Sequence, residues 1–176
     1  STDCLKAMGI DGIFLNKIKN EIQDELCNTR IDKIHQPSKE ELVLLFRKAG
    51  GSKKMLICIR PSTPRIHFTE AGSENPAEPP MFCMLLRKYL ENALIAKVCQ
   101  PQYERILEFY IETYNELSEK IYLCLAVEFM GKHSNVILYN YDTNMILGCA
   151  HNVGAEKSKD REMAGGLPYV YPPVKP

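Results

Sequence analysis

Glu41-Leu-Val-Leu-Leu-Phe-Arg47, then Gly50-Gly-Ser52, then Met55-Leu-Ile-Cys-Ile-Arg60, is the stretch whose reading settles the fold class. Two short apolar runs flank a glycine pair, and each is too short for an ordinary helix. Their branched and aromatic side chains, with turn chemistry between them, predict an antiparallel hairpin. Outward from it, Arg30–Gln36 reads as a preceding strand and Arg65–Thr69 as a following one, with Pro61 and Pro64 breaking the chain before the latter. Further towards the start, Ile10, Phe14, Ile18, Ile22 and Leu26 recur at about four-residue spacing, which predicts a helix over Asp11–Cys27. Asp11 is placed to cap its free amides, and Asn28 to close it.

On the other side, residues 70–80 form a loop, because Asn75-Pro-Ala-Glu-Pro-Pro80 suits neither helix nor central strand. A second helix is predicted over Met81–Asn92, with Phe82, Leu85, Leu86, Tyr89 and Leu90 as its apolar stripe. Arg87 and Lys88 fall in its last turn, where the helix dipole favours cations. Five more strands are expected at Ile95–Gln100, Arg105–Thr113, Ile121–Met130, Asn135–Tyr139 and Met145–His151, with Tyr141-Asp-Thr-Asn144 as a hairpin turn. Two main helices beside some nine sequential strands point to an α+β fold, its antiparallel sheets packed as a sandwich. The 176 residues suit one domain. Residues 8–173 are expected to form it, with 1–7 a disordered or non-native start and 174–176 the start of a linker to further domains.

The formal net charge is zero, yet the charges are not evenly spread. Residues 30–65 hold nine Lys/Arg against three acids, and residues 102–128 hold six acids against two bases. A local basic field can guide a polyanion without a basic total. Glu104, Glu108 and Glu112 alternate along one expected strand and read as a solvated acidic face. The seven cysteines have no metal-knuckle or CxxC spacing and sit mostly in apolar runs, as buried free thiols of a reducing compartment do. No apolar run is long enough to cross a membrane as a helix. No dinucleotide fingerprint, phosphate loop, HExxH or nucleophile elbow is present, and the four histidines are scattered. The residues thus predict no cofactor, no metal and no enzyme.

Three stretches carry more charge, amide and turn chemistry than a core requires. The first is Asn75–Leu90, a rigid loop feeding the helix that presents Arg87 and Lys88. The second is Glu104-Arg105 at the mouth of a strand. The third is Glu128–Leu138, where Gly131 permits a bulge and Lys132, His133 and Asn135 follow. Such side chains around a glycine bend suit phosphate and base-edge contacts.

Together with Asp11-Gly-Ile-Phe14, Arg30-Ile-Asp-Lys-Ile-His-Gln-Pro37, Glu104-Arg-Ile-Leu-Glu-Phe109 and Pro168-Tyr-Val-Tyr-Pro-Pro173, these stretches resemble the N-terminal domain of the NFACT proteins, the FbpA, RqcH and NEMF group. The resemblance runs from Met8 to about Pro173. It implies a domain similar to the N-terminal domain of formamidopyrimidine-type DNA glycosylases, without their proline nucleophile, since Gly9-Ile10-Asp11 follows Met8. It also implies a cytoplasmic ribosome-quality-control factor that binds the large ribosomal subunit carrying peptidyl-tRNA. Such a factor recruits tRNA, chiefly alanyl-tRNA, to extend the stalled chain. The family's tRNA-reading aspartate and Asp-Arg pair fall on Asp11 and on Glu104-Arg105, where glutamate stands for aspartate. Arg87, Lys88, Lys132, His133 and Asn135 complete the expected tRNA-binding set. The family name also carries an alternative, a surface-exposed adhesin binding fibronectin. A second alternative is a non-catalytic scaffold packing against further domains.

Overall fold

The computed structural model describes residues 11–101, 104–157 and 160–173. The expected start at 1–7, residues 8–10 of the expected domain and the linker residues 174–176 lie outside the described residues. Helix α1 (Gly12–Leu26) begins where Asp11 accepts a hydrogen bond from the Phe14 amide at 2.7 Å. It buries Leu15, Ile22 and Leu26, so the buried stripe starts one residue beyond the expected Phe14. Four strands follow: β1 (Arg30–Ser38), β2 (Glu41–Lys48), β3 (Gly51–Cys58) and β4 (Arg65–Phe68). The β2–β3 turn is tighter than expected. Lys48 pairs with Gly51, and Gly50 takes φ 89°, a backbone that side chains resist. Helix α2 (Met81–Leu90) follows the proline loop. Then come β5 (Leu94–Cys99), β6 (Ile106–Tyr114), β7 (Lys120–Glu128), β8 (Asn135–Asn140) and β9 (Ile146–Cys149).

The strands do not divide into two packed sheets. They form one antiparallel sheet in the order β4-β3-β2-β1-β5-β6-β7-β8-β9, which corrects the expected sandwich. The join is short and consists of the pair Arg30↔Leu94 with a few flanking bonds. Asn28 N donates to Ile95 O and Asn92 N to Ile31 O, each at 2.8 Å, with Ile31 and Ile95 donating back to Ala93 and Thr29 at 2.9 Å. Asn28 and Asn92 hold φ 65° and 66°, a left-handed turn that asparagine tolerates better than most residues. Beyond the join β1 has no strand on that side. Its Ile34 carbonyl instead accepts Arg87 Nε of α2 at 2.8 Å, with Cys83 Sγ at 3.7 Å.

Both helices lie on one face of this sheet. Leu15, Ile22, Leu86 and Leu90 close over Phe46, Met55, Ile57, Phe109, Leu125 and Leu138 as one apolar cluster. Gly148 of β9 lies under Leu85 of α2, and a Cβ there would collide with it. The opposite face of β6–β9 builds a second cluster from Ile106, Ala126, Ile137 and Tyr139, roofed by Met163 and Tyr169 of the last described segment. Each buried leucine or phenylalanine contributes about 1.5–3 kcal/mol relative to exposure, so burial on both faces stabilises the β6–β9 strands. No helix among the described residues is long and apolar enough to cross a membrane.

Candidate nucleic-acid interface

At one end of the sheet, three separate segments meet around a single amide. Gln100, just past β5, donates from Nε2 to the carbonyls of Gly12 and Glu104, each at 2.7 Å, and accepts from Asn16 Nδ2 at 3.0 Å. It thereby ties the first turn of α1, carrying Asp11, to the Glu104-Arg105 approach to β6. The Arg105 carbonyl in turn accepts from the Phe129 amide at 2.8 Å, which brings in the chain after β7. There Gly131, at φ 56°, opens a 3-10 turn through His133 in place of the expected strand bulge. Ser134 fixes that turn, donating to the Gly131 carbonyl at 2.7 Å and accepting from the Met130 amide at 2.8 Å.

Arg105, Lys132, His133 and Asp11 are exposed along this rim, and Glu104 is half-buried. Capping occupies one Asp11 oxygen, and the positive end of the α1 dipole faces the same loop. Among the described residues these cationic side chains have no hydrogen-bond or ion-pair partner. Lysine offers a point charge and arginine a fork that matches phosphate. Of the expected set, the turn carrying Asp11 is tied to Glu104-Arg105 through Gln100, and the segment leading to Lys132 and His133 is tied to Arg105 through Phe129.

The remaining three are not. Asn135 is 1% exposed, and its amide is used within the protein: Nδ2 donates to the His151 carbonyl at 2.8 Å, while Oδ1 accepts from the His151 and Val136 amides. It anchors β8 and has no surface to offer a ligand, which corrects its expected contact role. Arg87 is spent on the open edge of β1, with Nη2 3.3 Å from His35 Nδ1. Lys88 is exposed and lies 5.3 Å over the Tyr89 ring, and among the described residues neither shares a bond with Arg105, Lys132 or His133.

Behind the rim lies a buried acidic centre that the sequence reading missed. Glu108, expected on a solvated face, is 1% exposed, because Tyr169 and Tyr171 fold back across β6 and cover it. Tyr110 and Tyr139 donate to its Oε2 at 3.1 Å each, and Tyr171 donates to Oε1 at 2.9 Å. Glu128 is fully buried. It accepts from Tyr169 at 2.7 Å and from the Arg161 guanidinium, which also donates to the Val170 carbonyl. Burial pushes the Glu128 carboxyl above its ordinary value, against the pull of Arg161 and Tyr169. The phenols of Tyr110, Tyr139, Tyr169 and Tyr171 are all pushed up, by burial first, then by the nearby carboxylate for Tyr110, Tyr169 and Tyr171 and by the Cys124 thiol ahead of Glu108 for Tyr139, so they act as donors. Glu128 pairs across strands with both Ile106 and Asn135, so the acidic centre sets the backbone from which the rim projects.

A family model described as NFACT N-terminal and middle domains matches residues 11–176 of this chain. Among curated proteins, the Rqc2 homolog RqcH of Bacillus subtilis (strain 168) is 38% identical over 168 residues, covering 96% of this chain and 30% of that protein. The solved N-terminal domain of the fibronectin-binding protein PavA from Streptococcus pneumoniae aligns with TM-score 0.89 at 40% identity, over 93% of this chain and 62% of that one. The N-terminal part of the fibronectin/fibrinogen-binding protein from Streptococcus suis aligns with TM-score 0.89 at 36% identity, over 95% and 62%. The chain spans about three-tenths of the length of the curated relatives it matches.

Proposed function

The chain belongs to the NFACT N-terminal and middle domain family, and on that premise we propose that it is the tRNA-contacting module of a ribosome-quality-control factor. In this reading Arg105, Lys132 and His133 neutralise tRNA phosphates or stack on exposed bases, while Asp11 and Glu104 accept hydrogen bonds from base or ribose. Lys88 adds a peripheral charge. The observation that carries the reading is the Gln100 clasp. It joins the Asp11 turn to Glu104-Arg105 and leaves the cationic tips without protein partners among the described residues. The parent factor works in the cytoplasm on the large subunit carrying peptidyl-tRNA and recruits alanyl-tRNA for tailing of the stalled chain. The domain binds and orients without covalent chemistry of its own. Its likeness to the N-terminal domain of formamidopyrimidine-type glycosylases belongs to the same proposal, as the origin of a nucleic-acid groove.

The test is a titration of the chain with alanyl-tRNA and with a non-cognate aminoacyl-tRNA at two salt concentrations. Salt-sensitive binding that is lost in Arg105→Ala is the expected result. Binding unchanged in Arg105→Ala overturns the role given to the rim. The names of the solved relatives favour a second reading, a surface-exposed adhesin for fibronectin. Immobilised fibronectin that captures the wild-type chain and Arg105→Ala equally, while tRNA captures neither, would favour it.

A further inference from the structure

The cations of residues 30–65 meet different fates in the fold. Arg47 lies 3.5 Å from Asp32, Lys48 and Lys53 lie 2.7 and 3.8 Å from Glu25, and Arg60 lies 3.4 Å from Glu41. Lys33 and Lys54 have no carboxylate partner among the described residues; Lys54 Nζ has only the Ala71 carbonyl at 3.2 Å. The register sets these two lysines side by side. Lys33 stands opposite Leu45 on β2, and Leu45 stands opposite Lys54 on β3. Directly opposed residues share a face, and Ile34, Leu44 and Met55 next to them point into the helix-covered core. Lys33 and Lys54 therefore project from the outer face, two strands apart, roughly 10 Å at the backbone. His35 shares that face, and Arg87 reaches its ring from the open edge of β1. An open groove of about 620 Å³ adjoins Lys54, and Glu70 is the one carboxylate lining it.

We propose that the outer face of β1–β3, centred on Lys33, His35 and Lys54, is a second RNA surface that grips the phosphate backbone without reading sequence. The inference rests on the reading of the chain as an RNA-binding module, but not on the Arg105 rim. Three cationic side chains around one imidazole, on a rigid sheet, repel one another until an anion arrives. Lysines supply mobile point charges, which suit a regular array of phosphates better than one shaped ligand. The groove beside Lys54 is lined by Ser52, Lys53, Thr69 and Glu70 as well as Leu45 and Phe68, which suits a polyanion better than the apolar anchor side chains of a peptide. His35 responds to the same field. Burial, then Arg87, Lys33 and Lys54, hold its ring below the ordinary imidazole range. A phosphate laid across the face offsets those three charges, so RNA binding draws a proton onto His35.

The probe is a blunt RNA duplex of mixed sequence, titrated at several salt concentrations against the wild-type chain, Lys33→Gln/Lys54→Gln and Arg105→Ala. The lysine double variant is expected to flatten the slope of log affinity against log salt by about 2, one released counterion per lost contact. Its urea midpoint should match the wild type. Imidazole resonances give a site-by-site reading. On duplex addition at low salt, His35 should shift and titrate at higher pH, while His151, tied to Asn135 through its backbone, stays in place. A slope unchanged in the double variant, or a His35 signal unmoved at saturating duplex, overturns the proposal. So does binding of polyglutamate, but not duplex, through the same lysines, because the face then serves an acidic polypeptide. If Arg105→Ala leaves tRNA binding intact while the lysine variant weakens duplex binding, the rim reading fails and this one stands.

Discussion

Glu108 and Glu128 lie within a few residues of Arg105 and Lys132 along the chain, yet the two sets of charges are handled in opposite ways. The two carboxylates are buried and given phenol, thiol or guanidinium partners on both oxygens where geometry allows. The cations sit at the surface, without a hydrogen-bond or ion-pair partner among the described residues. An unpaired buried carboxylate costs several kcal/mol, so such a group persists only with its partners in place. An exposed lysine or arginine tip stays in water and costs the fold almost nothing. The saturated centre is therefore architecture, and the bare rim is what remains available to a partner.

Four substitutions probe that contrast, the largest effect first. Glu128→Ala removes a fully buried carboxylate that accepts from Tyr169 and Arg161, leaving a cavity and an unanswered phenol, and should destabilise the chain by about 3–5 kcal/mol in urea unfolding. A loss below about 1 kcal/mol would remove the distinction between the two regions. Tyr139→Phe takes one donor from a buried carboxylate and should cost about 1.5–3 kcal/mol by the same measurement. Asp11→Ala deletes the α1 cap, an expected loss of about 1 kcal/mol, and under the tRNA reading it also weakens tRNA binding. Arg105→Ala should move the unfolding free energy by less than about 0.5 kcal/mol while tRNA affinity falls. If its stability drops as far as that of Tyr139→Phe, the rim is structural after all.

The elements were legible because they depend on local periodicity. Ile18, Ile22 and Leu26 mark α1, the Asn75–Pro80 loop isolates α2, and Tyr141–Asn144 joins β8 to β9 as expected. The meeting of Asp11 with Glu104-Arg105 came only through family resemblance. Gln100, the residue that brings them together, is one unremarked amide in the sequence. The single sheet was hidden because the β1–β5 join rests on one strand pair between distant segments. Glu108 was misread for a related reason. Its alternation with Glu104 and Glu112 is the pattern of a wet face, and only the return of Tyr169 and Tyr171 from the far end of the chain covers it. Asn135 shows the reverse error, since a polar residue beside a glycine bend looks like a contact until its amide is seen satisfied by His151.

The join between β1 and β5 has a kinetic consequence. Every other strand pairs with its immediate predecessor, so β1–β4 and β5–β9 are two meanders, each closable with short loops and little entropy cost. Only the Arg30–Leu94 junction must wait for a long intervening stretch of chain. During synthesis from the N-terminus the first meander is complete before Leu94 exists to meet it. That ordering predicts that the junction, with its left-handed bends at Asn28 and Asn92, forms after the hairpins on either side of it. Hydrogen exchange should find the amides of Ile31 and Ile95 opening together, ahead of those in the centre of either meander.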